Sequence, residues 1–329
     1  MKVLVTGGAG FIGSHVADAL VARDYDVHVL DDLSGGCREN VPAAATFHEL
    51  DIRSDEAADL VRREKFDALL HLAAQMDVRK SVADPRFDAD VNVLGALNLL
   101  EAGRESGLKK VVFASTGGAI YGEPDPAVND GGPQPESHPQ RPLSPYGITK
   151  LVTEKYLYFY EQSYGVEYVA LRFGNVYGPR QNPHGEAGVV AIFSERLLDR
   201  EQPVIYGHGE QTRDYVYVGD VVRAVLAALD HEGSEIVNVG TGRETSVNEL
   251  FRVLNELTGE HTEEKHADAK PGEQQRSVLD VSHARAVLGW RPDVDLETGL
   301  QRTVEWFREK QKGERTKGRE GERQAVANS

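Results

Sequence analysis

The 329-residue sequence predicts an α/β fold: a doubly wound parallel sheet with a smaller α+β lobe that carries the substrate. Three observations predict it. Short apolar runs alternate with helix-like segments through the first half, the pattern of parallel strands covered on both faces. A glycine-rich loop joins the first run to the first helical segment. Beyond residue 173 the rhythm is lost, and Gly, Pro and His interrupt the chain.

The elements follow in order. Lys2–Thr6, Val27–Leu30, Thr46–Leu50, Ala68–Leu72 and Lys110–Ser115 are the expected strands, and Phe11–Arg23, Glu56–Glu64 and Ala89–Glu105 the expected helices between them. A further helix should begin after Pro145 and lead into a strand over Glu167–Arg172. Residues 1–173 and 215–240 are assigned to a dinucleotide-binding domain, and 174–214 and 241–310 to the smaller lobe. Residues 311–329, charged and nearly free of apolar side chains, read as a disordered tail.

Composition narrows the function. A net charge of −16 argues against nucleic-acid binding. No apolar run is long enough to span a membrane. A strand starting at Lys2 predicts no signal peptide. The lone Cys37 cannot form an internal disulfide, which fits a reducing cytoplasm, and it reads as filler rather than as a redox switch. His184 and His208 lack companions at zinc spacing and read as loop histidines, so no metal is expected.

The loop Thr6-Gly7-Gly8-Ala9-Gly10-Phe11-Ile12-Gly13 satisfies G-x-G-x-x-G between a strand and a helix, the Rossmann fingerprint. Gly7, Gly10, Phe11, Ile12 and Gly13 are the expected pyrophosphate contacts, because helix-start N–H groups lack partners there. The second strand ends in Asp31-Asp32, close to the ~20-residue spacing at which an acid meets the adenosine ribose. Such an acid repels a 2′-phosphate, so the cofactor should be NAD rather than NADP. Asp31 is the first choice, with Asp32 or a plain surface turn as alternatives. Asp51-Ile52 should lie by the adenine, and Leu72-Ala73-Ala74-Gln75 under the nicotinamide ribose.

Tyr146 and Lys150 in Ser144-Pro145-Tyr146-Gly147-Ile148-Thr149-Lys150 fall on one helix face. A phenol ionises near pH ~10, too high for a base at neutral pH. An adjacent ammonium and an oxidised nicotinamide ring both favour the phenolate. Thr116 or Ser115, in FASTGGAIYG from Phe113, supplies a hydroxyl to the reacting oxygen.

These motifs resemble those of the extended short-chain dehydrogenases/reductases, and among them the UDP-glucose 4-epimerase (sugar-nucleotide epimerase) family. The resemblance runs through TGGAGFIGSH, LDDLSGG, HLAAQ, DPRFDADVNVLGALNLLEA, FASTGGAIYG, SPYGITK, LRFGNVYGPRQNPHGEAGVVAIF, RDYVYVGDV, NVGTG and PGEQQRS, and leaves out only the tail. It implies catalysis by Tyr146, Lys150 and Thr116, with NAD retained through turnover and Ser34, Gly35, Asn92 and Ser115 among its contacts. It implies a UDP-hexose substrate met by Thr116, Tyr146, Asn175, Val189, Val204, Tyr206, Arg213, Lys270, Glu273 and Ser277. Lys270 departs from the family's usual Arg. Asp214 should orient Arg213 or pair with it. Related dehydratases carry an Asp-Glu pair just after the threonine, and decarboxylases a Glu nearby; here Gly117-Gly118 stands instead, so the sequence points to epimerisation through a 4-keto sugar. Glycine also lets backbone pass close to a cofactor, and both readings can hold. Ser277, four residues after Glu273, matches the position that borders the sugar's C2 substituent, and its small size leaves room for an acetamido group. Arg276 is the residue that could swing into that room instead. The aromatic-rich KYLYFYEQSY and Ala89–Leu100 match helices that family members pair across a two-fold axis, which implies a homodimer; burial within one large subunit is the alternative.

Overall fold

The computed structural model describes residues 1–184, 188–269 and 274–327, with side chains as far as Gly313. Lys270 and Glu273 lie outside the described residues. In chain order the strands are β1 (Lys2–Thr6), β2 (Asp26–Asp31), β3 (Thr46–Glu49), β4 (Ala68–His71), β5 (Lys110–Thr116), β6 (Glu167–Phe173), β7 (Asn175–Tyr177), β8 (Ile205–Tyr206), β9 (Thr212–Arg213), β10 (Tyr215–Tyr217), β11 (Glu235–Val239), β12 (Thr245–Ser246) and β13 (His266–Ala267). The α-helices are α1 (Phe11–Val21), α2 (Asp55–Glu64), α3 (Val78–Ala83), α4 (Pro85–Ala89), α5 (Gly95–Ser106), α6 (Gly117–Ile120), α7 (Pro145–Tyr164), α8 (Val189–Leu198), α9 (Val218–Asp230), α10 (Val247–Thr258), α11 (Ser282–Leu288) and α12 (Leu296–Ala327).

Seven strands form one parallel sheet in the order β3-β2-β1-β4-β5-β6-β11. Its residues alternate between two cores. Val3 and Val5 of β1 join α1 and α9 on one face, while Leu4 between them joins α2, α5 and α7 on the other. Strands buried on both sides must be apolar throughout, which is why they read as unbroken runs. The strand order reverses between β1 and β4, and ligands of open α/β sheets bind in the crevice beyond the carboxyl ends at that point.

The smaller lobe has its own core, in which Phe193 and Leu197 of α8 meet Leu250, Phe251 and Leu254 of α10 and Leu300 and Val304 of α12. Two features differ from the sequence pattern. The single helix expected over Ala89–Glu105 is α4, a π-helical turn at Asp90–Leu94, and then α5. Such turns recur at functional sites, and this one carries Asn92. The disordered tail expected from residue 311 is instead described as a continuation of α12 to Ala327. Its Glu, Lys, Arg and Gln residues cannot build a core, yet they are good helix formers.

Candidate active site

The glycine loop sits at the carboxyl end of β1. Gly7 has φ +69°, and a Cβ there would stand 2.7 Å from Ala73 N at the end of β4. At Gly13 a Cβ would stand 2.1 Å from Gly7 O. Glycine at these positions is what lets β1, β4 and α1 converge. Gly10 is the N-cap of α1 and offers no side chain to cap it, and the first intrahelical bond runs from Ser14 N to Gly10 O. The N–H groups of Phe11, Ile12 and Gly13 are therefore left for an anion. Thr6 fastens the crevice: its Oγ1 accepts from Leu72 N (3.2 Å) and Ala73 N (3.3 Å) and lies 2.8 Å from His71 Nδ1. With both lone pairs in use, the hydroxyl donates to Nδ1, which assigns the proton of neutral His71 to Nε2. Burial, then the nearby Lys150, hold the His71 pKa down to about 3.

Asp31 ends β2 in the crevice wall. One carboxylate oxygen accepts from Ala9 N (3.0 Å) and the other from Leu33 N (2.9 Å), tying the acid to the glycine loop. Burial pushes its pKa up, opposed by these two bonds. Asp32 is exposed and accepts from Ser34 N and Ser34 Oγ, and Gly35 follows in the same turn. Asp51 is engaged by Arg53, which reaches on to Asp90, while Ile52 is buried against Gly95. Gln75 and Asn92 exchange bonds between main chain and side chain: Gln75 N donates to Asn92 Oδ1 (2.8 Å) and Asn92 Nδ2 to Gln75 O (2.9 Å). Ala74 lies between Ala73 and this pair.

Tyr146 and Lys150 occupy the first turns of α7. Ser144 caps the helix through Gly147 N, and Ser81 of α3 accepts from Tyr146 N at 3.2 Å. Lys150 is 2% exposed, and Nζ donates to Ala114 O of β5 at 2.8 Å. It lies over the rings of Phe113 (4.7 Å) and Tyr146 (5.9 Å). Burial brings its pKa down to about 8, against the nearby charges of Asp88 and Glu154. An ammonium has three donors, and among the described residues Ala114 O is the one acceptor bonded to Nζ. Two N–H groups of this buried ammonium are left over beside Tyr146. With the uncapped start of α1 and the Asp31 carboxylate, this donor and acceptor set fits a dinucleotide running from the glycine loop towards Tyr146.

Thr116 closes β5. A Cβ built on Gly118 would lie 3.9 Å from Thr116 Oγ1 and 3.6 Å from Asn175 Oδ1, so these two groups face one space. A Cβ on Gly117 would meet the Leu279 side chain at 2.6 Å, so a larger residue there would have to displace Leu279. Ser115, the alternative hydroxyl, is spent elsewhere: it donates to Glu154 Oε1 at 2.6 Å. Glu154 in turn holds Arg172 through two bonds (2.9 and 2.6 Å).

On the lobe side, Arg213 donates to Thr212 O, and β9 pairs with β12. Among the described residues Asp214 makes no bond to Arg213 and no ion pair. It is fully buried and accepts from Thr241 N, Thr241 Oγ1, Gly242 N and Leu279 N. Val204 precedes β8, whose partner is β13, and Val189 opens α8. A cleft of about 500 Å³ lies beside Tyr206, His208, Gln211, His266 and Gln275. Ser277 is 1% exposed, and its hydroxyl has no partner among the described residues. Arg276 is held away by a two-point contact with Glu244 and a bond to Gly131 O.

The motifs missed Ser81, Asp88 and Glu154, which come from packing rather than spacing; only Glu154, one turn after Lys150, lies close enough in sequence to have been suspected. Among the described residues no three His, Cys, Asp or Glu side chains gather as for a metal, and no helix is long and apolar enough to cross a membrane.

A model of the NAD dependent epimerase/dehydratase family matches residues 3–240. The chain is 47% identical over 306 residues to a putative UDP-glucose 4-epimerase of Methanocaldococcus jannaschii, covering 93% of this chain and 98% of that one. Among solved structures it resembles the UDP-glucose 4-epimerase of Thermotoga maritima with UDP-glucose (TM-score 0.91, 49% identity, 94% and 99% of the two chains). It also resembles the Thermus thermophilus UDP-glucose 4-epimerase in complex with NAD (TM-score 0.87, 48% identity, the same coverage). Crevice, tyrosine–lysine pair and likeness agree: the chain belongs to the NAD dependent epimerase/dehydratase family, as an NAD-dependent sugar-nucleotide epimerase with the extended short-chain dehydrogenase/reductase fold.

Proposed function

We propose that the enzyme interconverts UDP-glucose and UDP-galactose, and also their N-acetylated counterparts, through a 4-keto sugar. Bound NAD supplies the hydride acceptor and donor. Tyr146, as phenolate, removes the proton of the C4 hydroxyl and returns it later. Lys150 stabilises the phenolate, with its remaining N–H groups free for ribose hydroxyls. Thr116 hydrogen-bonds the reacting oxygen, with Asn175 across the same space. Once the sugar is a ketone, its inversion requires only that it turn over before hydride returns to the other face.

The observation that carries the reading is the character of residues 117 and 118. A dehydratase or decarboxylase needs a further acid or base here, and Leu279 packs where a side chain on residue 117 would stand. The intermediate has reduction as its exit. The N-acetylated pair is supported by Ser277, a small residue whose hydroxyl has no partner among the described residues, and by the tether on Arg276. A UDP-hexose is thus the proposed substrate, with Arg213 on its diphosphate and the cleft by Tyr206 for its nucleoside end.

Tyr146→Phe tests the assignment. It should retain NAD and lose about 10²–10⁴ in turnover, the usual effect of removing a general base. Turnover near that of the wild type would reject Tyr146 as the base.

A further inference from the structure

Asp88, on α4, is fully buried and takes no part in the chemistry described above. Its Oδ1 accepts from Gln75 Nε2 (2.8 Å) and Asn92 Nδ2 (3.2 Å), and its Oδ2 from Thr149 Oγ1 (2.9 Å). Two amide donors on one oxygen mark it as a carboxylate acceptor. All three donors are neutral, and among the described residues no cation forms an ion pair with it. A buried carboxylate without a counter-ion is costly, by several kcal/mol in the general case.

Thr149 immediately precedes Lys150, whose ammonium is equally buried and has a neutral carbonyl as its bonded partner. The charged and titratable groups around Lys150 are Asp88 on α4, Tyr146 and Glu154 on its own helix, and His71 on β4. His71 is neutral. Glu154 is already neutralised by Arg172, 1% exposed, at 2.6 Å. Asp88 is the one negative charge in that set with no cation of its own.

We propose that Asp88 is a positioning residue for the epimerase reaction: it supplies the counter-charge that keeps Lys150 an ammonium beside Tyr146, at a distance, while its hydrogen bonds lock Gln75 and Asn92 under the cofactor site. Burial alone pushes Lys150 towards the neutral amine, and a neutral amine cannot stabilise a phenolate. Asp88 opposes that push. The inference rests on the roles assigned to Tyr146 and Lys150 above.

The test is the pH profile of kcat for UDP-galactose turnover by the NAD-containing enzyme, in wild type, Asp88→Asn and Thr149→Val. The alkaline limb reports loss of the Lys150 proton. Neutralising Asp88 should move that limb to lower pH by about one unit, the lower end of what a nearby charge does. Thr149→Val loosens the same network without changing charge and should leave the limb in place. Asp88→Ser, smaller and also neutral, serves if the asparagine misfolds. A folded, NAD-containing neutral variant whose limb coincides with the wild type overturns the proposal, as does an equal shift in Thr149→Val. Either result leaves the Tyr146 assignment standing, because that falls only if Tyr146→Phe stays active.

Discussion

At the scale of single residues, side chains that look alike in sequence are separated by what they bond. Asp31 and Asp32 are neighbours, yet Asp31 is buried and tied to the glycine loop, while Asp32 is exposed and bonds Ser34 in its own turn. Asp31→Ala removes an acceptor from Ala9 N and Leu33 N, and bonds to a charged group are worth ~1.5–3 kcal/mol each. NAD affinity should fall by about tenfold or more, and the preference against NADP should relax, since the carboxylate that repels a 2′-phosphate is gone. Titrating both cofactors into stripped enzyme checks this; an unchanged NAD/NADP ratio would shift the role to Asp32 or a loop contact. The two hydroxyls of Ser115-Thr116 separate in the same way. Glu154 claims Ser115, a partner far along the chain that no local spacing reveals, and Thr116 is left at the strand end.

At the scale of elements, the segment 274–280 is the one proposed to border the sugar. It is hung from the loop that follows α6: Glu123 accepts from Gln275 N and Arg276 N, Gln274 Nε2 donates to Gly122 O, and Gln134 bridges Val278 and Asp280 through its main chain. These ties place Ser277 in the interior and Arg276 towards Glu244. Ser277→Tyr should therefore abolish turnover of the N-acetylated substrate while sparing UDP-glucose, read as kcat/KM for both pairs. Wild type that ignores UDP-N-acetylglucosamine, or a tyrosine variant that still turns it over, would show that the gate lies elsewhere. The elements of the sheet were legible in the sequence because strands buried on both faces must be apolar. The tyrosine–lysine pair and the glycine loop were legible because helix and turn geometry fix their spacing. The break in the helix after Ala89 was not, because a π turn leaves the apolar pattern continuous. Nor was the role of Asp214, whose four donors arrive from two distant segments.

At the scale of the whole molecule, α7 serves two surfaces. Lys150 and Leu157 face inward, while Tyr156, Tyr158, Phe159 and Tyr164 are exposed, with Leu94 at 56% exposure and Ile148 at 47% adding to the apolar surface. Exposed apolar area of this kind marks an interaction face, and the proposed occupant is a second copy of the chain. Sedimentation should give a dimer for the wild type and a monomer for Phe159→Glu; a monomeric wild type would contradict it. We propose that a 4-keto sugar formed here has reduction as its exit, since Gly117 and Gly118 bring no second acid or base to it. It is tested most directly by incubating the purified protein with UDP-galactose, without added NAD, and separating the products by chromatography. UDP-glucose should be the sole new sugar nucleotide, with the same mixture approached from either side. A 4-keto-6-deoxy sugar among the products, or no conversion by protein that retains NAD, would contradict it.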